Sequence, residues 1–294
     1  MYERIVHGND QIEIREHFIS PMVYLDHWAL NDFSIDKALR DKFVDAMNAK
    51  GGTFRLSVFN IVELSKQSDS SQVDAILNMI SRIPNCGLIN NDANLVIAKE
   101  DALISDPSSI FEVNNPSAEI EIVAAYLMAH NNPNEWHVSD IIQSIIPELP
   151  SKTLLQSNSK FVQDMQRLLM VGRGDKQQLK EAEKRFKSFK KDGPKYQRPT
   201  REIFAMAIDF VMRNSQMKML EYSEWTDLFH VIVPVSYCDI VMVDKRWKTF
   251  IAQTGYSDPD IAMVFDKKSL NEFFTALEAW KGTEPIAGDS TGKR

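Results

Sequence analysis

The chain has 294 residues, of which 44% are hydrophobic and 26% charged, the composition of an ordinary soluble fold. No apolar stretch approaches the ~20 residues that span a bilayer, the opening Met-Tyr-Glu-Arg-Ile-Val-His-Gly-Asn-Asp lacks a secretory layout, and Cys86 and Cys238 are too few for a disulfide framework or a thiolate metal cluster. The expected setting is therefore cytoplasmic, with no membrane partner. The net charge of −7 hides an uneven spread: residues 157–201 hold thirteen Lys or Arg against five acids, a local +8 that leaves −15 for the rest. Such asymmetry hints at a polyanionic partner.

Taken in chain order, residues 1–20 read as a short strand or arm. The apolar run 22–25 ends on Asp26, the pattern of a strand buried on both faces in a parallel sheet. A loop and a helix over 34–50 follow, closed by Gly51-Gly52. A second strand is predicted over 54–58, then a helix opening near Asn60, a helix over 71–83 and a short strand at 87–90. Strand–helix–strand spacing implies parallel pairing. Between 91 and 200 no strand run occurs, and helices are predicted over 93–103, 117–130, 138–146 and 158–190, separated by prolines. The strand pattern resumes after helices at 201–219 and 223–236, with strands at 239–243 and 261–265 and a last helix at 268–281. The expected organisation is an α/β core from 1–90 and 203–282, a helical insertion at 91–202 carrying the basic segment, and a disordered tail at 283–294.

The chemistry rests on four acids. Asp26 and Asp244 each end a buried strand, and ligands of open parallel sheets bind outside the carboxyl ends of strands. Glu63 and Asp227 fall on helices that reach the same edge. Each has a local explanation: Asp26 as a helix N-cap, Asp244 in an Asx turn, Glu63 as the third residue of a capping box begun by Asn60, and Asp227 as a helix-dipole acid. Four converging carboxylates repel unless cations offset them, and an all-oxygen donor set favours Mg²⁺ or Mn²⁺. Asp239 opens the strand that Asp244 closes; five extended residues cover roughly 16 Å, so Asp239 is read as structural or as support for the site. His230 lies one turn beyond Asp227 as a supporting group, and His27 adjoins Asp26. Lys245 and the cations Arg185, Lys187, Lys190 and Lys191, interleaved with Phe186 and Phe189, are candidate contacts for a nucleic-acid backbone, with an amphipathic helix as the plainer reading. No GxGxxG, Walker, GxSxG, HExxH or paired CxxC motif is present.

Val-Tyr-Leu-Asp26, Glu63, Thr-Asp227-Leu-Phe-His and Val-Met-Val-Asp244-Lys-Arg-Trp247, spread over 20–90 and 203–282, resemble the PIN-domain nucleases. The resemblance implies a three-layer α/β/α sandwich with a mostly parallel sheet. It also implies the acids in the order Asp26, Glu63, Asp227, Asp244 as metal ligands, and a metal-dependent endoribonuclease using two ions to activate water. The long insertion departs from the compact toxins of that family. The expected partners are RNA, with single-stranded DNA as the alternative, an antitoxin or defence-system protein, and a second copy of the chain. The expected setting is a toxin–antitoxin pair, phage defence or RNA processing. Two rival readings are a catalytically inactive PIN-like binding module and a nucleotide phosphohydrolase, the latter lacking a phosphate loop.

Overall fold

Val23, Tyr24 and Leu25 are buried, as are Ile240, Val241 and Met242, and these two runs lie side by side at the centre of one sheet. The computed structural model describes residues 2–6, 12–67, 69–105, 118–130, 136–147, 151–192, 200–217, 219 and 222–281. The sheet holds β3 (Met22–Leu25), β4 (Thr53–Ser57), β5 (Cys86–Ile89), β6 (Ile240–Met242) and β7 (Met263–Phe265), all parallel, in the order β5-β4-β3-β6-β7. Ahead of it, β1 (Tyr2–Val6) and β2 (Ile12–Glu16) form a separate antiparallel hairpin. The tail beyond residue 281 lies outside the described residues.

Because strands alternate faces, Val23 and Leu25 enter one apolar layer and Tyr24 the other. The first layer is covered by α1 (His27–Ile35), α2 (Lys37–Lys50), α3 (Val58–Ser65) and α4 (Ser70–Ser81), and by α6 (Ala118–Ala129), α7 (Val138–Ile145) and α13 (Leu270–Ala279). The second is covered by α5 (Ala93–Ser105), α8 (Ser151–Gly174), α10 (Thr200–Arg213), α11 (Tyr222–Tyr237) and α12 (Lys245–Thr254). The molecule is thus a three-layer α/β/α sandwich. From β3 the chain moves outward through β4 to β5, then returns to β3's other side for β6 and β7. Crossovers of one hand that run in opposite directions must lie on opposite faces, which is why α1–α4 and α12 pack on different layers.

Several expectations shift. The stretch after Asp26 is helix α1, not a loop, and Asp36 caps the next helix, α2, by accepting from Ala38 and Leu39 N–H. Gly51 does end α2, in the left-handed conformation at φ 62°. A Cβ on Gly52 would sit 2.4 Å from the Pro21 carbonyl oxygen, so this approach to β3 requires glycine. The second helix opens at Val58, not Asn60. The predicted helix over 158–190 is two helices, α8 and α9 (Lys176–Asp192), broken at Asp175, whose carboxylate accepts from Gln177 and Gln178 N–H. The helix predicted over 201–219 stops at Arg213.

Arg173 sets that stop. Its guanidinium donates to the carbonyls of Val211 (2.6 Å) and Met212 (3.3 Å) in the last turn of α10 and of Asn214 (3.0 Å) and Met217 just beyond it. Arg173→Ala should cost about 2 kcal/mol in urea unfolding. Arg173→Lys should recover only part of it, since one ammonium cannot span the same carbonyls as the planar fork.

Candidate functional site

The strand order reverses between β3 and β6, and crevices of open α/β sheets form where that happens. Asp26 follows β3 directly, and its N–H donates to the Met242 carbonyl at 3.1 Å, so it stands level with the end of β6. Asp244 lies two residues past the end of β6, the strand that pairs with β3, and paired strands run about 4.8 Å apart. Both acids are at the carboxyl rim.

Asp26 is 8% exposed and is also the N-cap of α1, with Oδ1 accepting from Ala29 N–H at 3.2 Å. The cap reading and the site reading therefore coexist. Burial pushes its carboxyl well above the ordinary range; the Ala29 N–H opposes this, and the charges of Asp244, Asp227 and Glu63 add to it. Those three charges act on Asp26 because the acids converge. Asp244 holds the N-cap position of α12 yet makes no side-chain cap hydrogen bond. Its carboxylate is not occupied by the role that usually explains an aspartate there.

Glu63 loses its bland explanation. The capping box of α3 is built by Ser57 and Asn60, with Asn60 in the position assigned to Glu63. Glu63 sits in the second turn, its Oε2 3.2 Å from His230 Nε2 and 3.3 Å from His27 Nδ1. Burial alone would raise its carboxyl, but the hydrogen bond from His230 and the charges of both histidines outweigh burial and hold it below the usual value. His230, 2% exposed, is fixed from behind by the buried Tyr24 hydroxyl at its Nδ1, and that hydroxyl lies 3.1 Å from Ser57 Oγ. With Nε2 donating to Glu63, Nδ1 accepts from Tyr24. His27 Nε2 faces the amides of Asn31 at 2.9 Å and Gln67 at 3.1 Å.

Asp227, one turn before His230 on α11, is paired with Arg246 from the first turn of α12. Burial still pushes its carboxyl up to about 6 against the pull of Arg246, with Asp244 and Glu63 adding to the rise. The four predicted acids thus meet at one rim: Asp26 accepts from Ala29 N–H, Glu63 faces two histidines, Asp227 pairs with Arg246, and Asp244 makes no cap hydrogen bond. Among the described residues no three His, Cys, Asp or Glu side chains stand ready as a metal cage. The donor chemistry nonetheless fits a hard divalent cation: the oxygen donors lie within reach of each other's charge, Asp244 has an uncommitted carboxylate, and Asp26 is destabilised by uncompensated negative charge.

The remaining candidates are dispersed. Asp239 takes the structural of its two readings: its Oδ2 accepts from Ser20 Oγ (2.6 Å) and Met22 N–H (2.7 Å), tying β3 to β6 at the edge opposite the site. Lys245 is exposed in the first turn of α12. Arg185 pairs through two bonds, 3.1 and 2.6 Å, with buried Asp209 on α10, and Lys187 pairs with Glu183 at 3.1 Å. These two cations fasten and solvate α9. The side chains of Phe186, Phe189, Lys190 and Lys191 lie outside the described residues. Sequence reasoning missed Tyr24, counted only as apolar, and the Asp227–Arg246 pair. One signal was available for the latter: Lys245 and Arg246 place two cations in a helix's first turn, against the macrodipole.

The described residues contain no helix long and apolar enough to cross a membrane. No family model, no curated protein and no solved structure matches this chain.

Proposed function

We propose that this protein is a Mg²⁺- or Mn²⁺-dependent endonuclease acting on RNA, with Asp26, Glu63, Asp227 and Asp244 as its working acids. The observation that carries the reading is the convergence of acids from four separate elements at the sheet's reversal point, where burial first and the neighbouring acids second push the carboxyls of Asp26 and Asp227 up. Buried, mutually repelling acids of this kind cluster at functional sites, and a divalent cation is the partner that an all-oxygen donor set suits. The PIN-domain resemblance and the parallel three-layer fold are in keeping with it.

Asp26 and Asp244 would hold a cation from adjacent strands, with Glu63 and Asp227 reaching it from the flanking helices. When bound, such an ion neutralises the acids and acts as a Lewis acid toward water and a phosphate oxygen. The chain's own groups do the rest. Glu63 stays ionised and is aimed by His230 and His27, so it can accept a proton. Tyr24 locks the His230 ring. Lys245 stands in the open to hold a phosphate.

Incubating the full chain with single-stranded RNA and DNA oligomers in Mn²⁺, with and without EDTA, tests this. Internal cleavage of RNA that EDTA abolishes is expected; EDTA-resistant cleavage, or none of either polymer, would refute it. A second reading, an inactive PIN-like module, draws on the Asp227–Arg246 pair, which already neutralises one acid without metal. Calorimetric titration with Mn²⁺ separates the two, since the inactive module should show no binding that depends on Asp26.

A further inference from the structure

Arg246 occupies an unusual position. It sits in the first turn of α12, where a cation opposes the helix dipole, two residues after Asp244, the N-cap residue that makes no side-chain cap hydrogen bond. Its terminal nitrogen pairs with Asp227, and its guanidinium lies 5.3 Å from the Trp247 ring centroid. Its Nε is buried with no hydrogen-bond partner. A guanidinium acting as a structural clamp spreads its N–H donors over several acceptors, as Arg173 does through Nε and one terminal nitrogen on carbonyls at the end of α10 and just beyond it. Arg246 instead leaves its Nε unused beside the crowded acids of the rim. The pair keeps contact with water, the two side chains being 33% and 35% exposed, so solvent can take over from either partner when they separate.

We propose that Arg246 is a built-in stand-in cation: it neutralises Asp227 while the rim is empty, is displaced when a divalent ion takes that carboxylate, and then binds the phosphodiester of the incoming RNA. The inference rests on the nuclease reading above and adds its substrate-binding residue and its resting state. Arginine suits both halves, since the same planar fork matches a carboxylate or a phosphate. It also explains why Asp227 carries no ready metal geometry: the ion must first evict its neighbour. No covalent step is involved, only exchange of ion partners.

Mn²⁺ binding to the full chain, followed by electron paramagnetic resonance, provides a readout independent of turnover. Arg246→Ala and Arg246→Gln should bind Mn²⁺ roughly three- to tenfold more tightly than wild type, because a competing ion pair is gone. Arg246→Lys should stay near wild type. With Ca²⁺ in place of Mn²⁺, both neutral variants should bind a short single-stranded RNA about tenfold or more weakly by fluorescence anisotropy. Unchanged or weaker Mn²⁺ affinity in the neutral variants, or unchanged RNA affinity, overturns the proposal. Asp26→Asn separates the levels. If it weakens Mn²⁺ binding while the Arg246 variants change nothing, this inference alone fails. If wild type and Asp26→Asn bind Mn²⁺ equally, the nuclease reading fails and carries this one with it.

Discussion

Asparagine in place of Asp26 is expected to cut RNA cleavage by about a thousandfold and, in EDTA, to raise the melting temperature. The two effects share one cause. Asp26 is buried among three other acids, and its native carboxyl titrates well above the unfolded value near 3.8. A group with a raised native pKa binds its proton more readily in the folded state, so its contribution to stability is complete below about pH 4 and is lost as pH rises through the native value. At about pH 7.5, well above the unfolded value, the wild type carries that loss, and the variant, with a neutral amide able to keep the bond from Ala29 N–H, does not. The difference in melting temperature between the two proteins should therefore be largest near pH 7.5 and close on acidification toward about pH 4. His27, whose pKa burial lowers, acts in the opposite sense, but it is common to both proteins and cancels in the comparison. A melting temperature that falls in Asp26→Asn at pH 7.5 would show that the cap, not the charge, governs this residue.

Asp244→Asn should behave differently. Its carboxylate makes no cap hydrogen bond, so the amide removes a ligand without removing a support. Metal-free stability should change little, rising slightly as repulsion with Asp26 and Asp227 is relieved. The large effect appears with metal. A cation at about a hundred times its dissociation constant stabilises the native state by about 2.7 kcal/mol, worth about 5 °C or more in a chain of this size. Wild type should show that Mn²⁺-dependent rise, and Asp244→Asn should lose most of it together with cleavage. An equal Mn²⁺ shift in both proteins would place the ion elsewhere.

The central strands were legible because burial on both faces leaves only one composition open to them. Val23–Leu25 and Ile240–Met242 are apolar without alternation, and an acid at the end of such a run stands out. The helix after Asp26 was not legible: its sequence, His-Trp-Ala-Leu-Asn-Asp-Phe-Ser-Ile, offers no acidic first turn, and its anchoring comes from Phe33, edge-on to Phe43 and Phe273 and stacked on Phe274. The capping box was placed three residues late because Asn60 is itself a strong capping residue; only the register of β4 shows Ser57 as the cap and frees Glu63. The support behind the site was hidden by distance. Tyr24 meets His230 across 206 positions, and His230 meets Glu63 across 167. No local pattern encodes such contacts, whereas the first-turn cations of α12 were a visible breach of a local rule.

The stretch over 91–202, which holds α5 through α9, is sewn into the body of the molecule. Val123 and Leu127 of α6 and Ile141 and Ile142 of α7 sit in one apolar layer, while Ala93 and Val96 of α5 and Leu169 of α8 sit in the other. Excising it to obtain a minimal catalytic fragment would strip greasy cover from both sides at once, and the product should precipitate. A shortened variant would need replacement side chains on each flank before any loss of cutting could be blamed on missing RNA contacts.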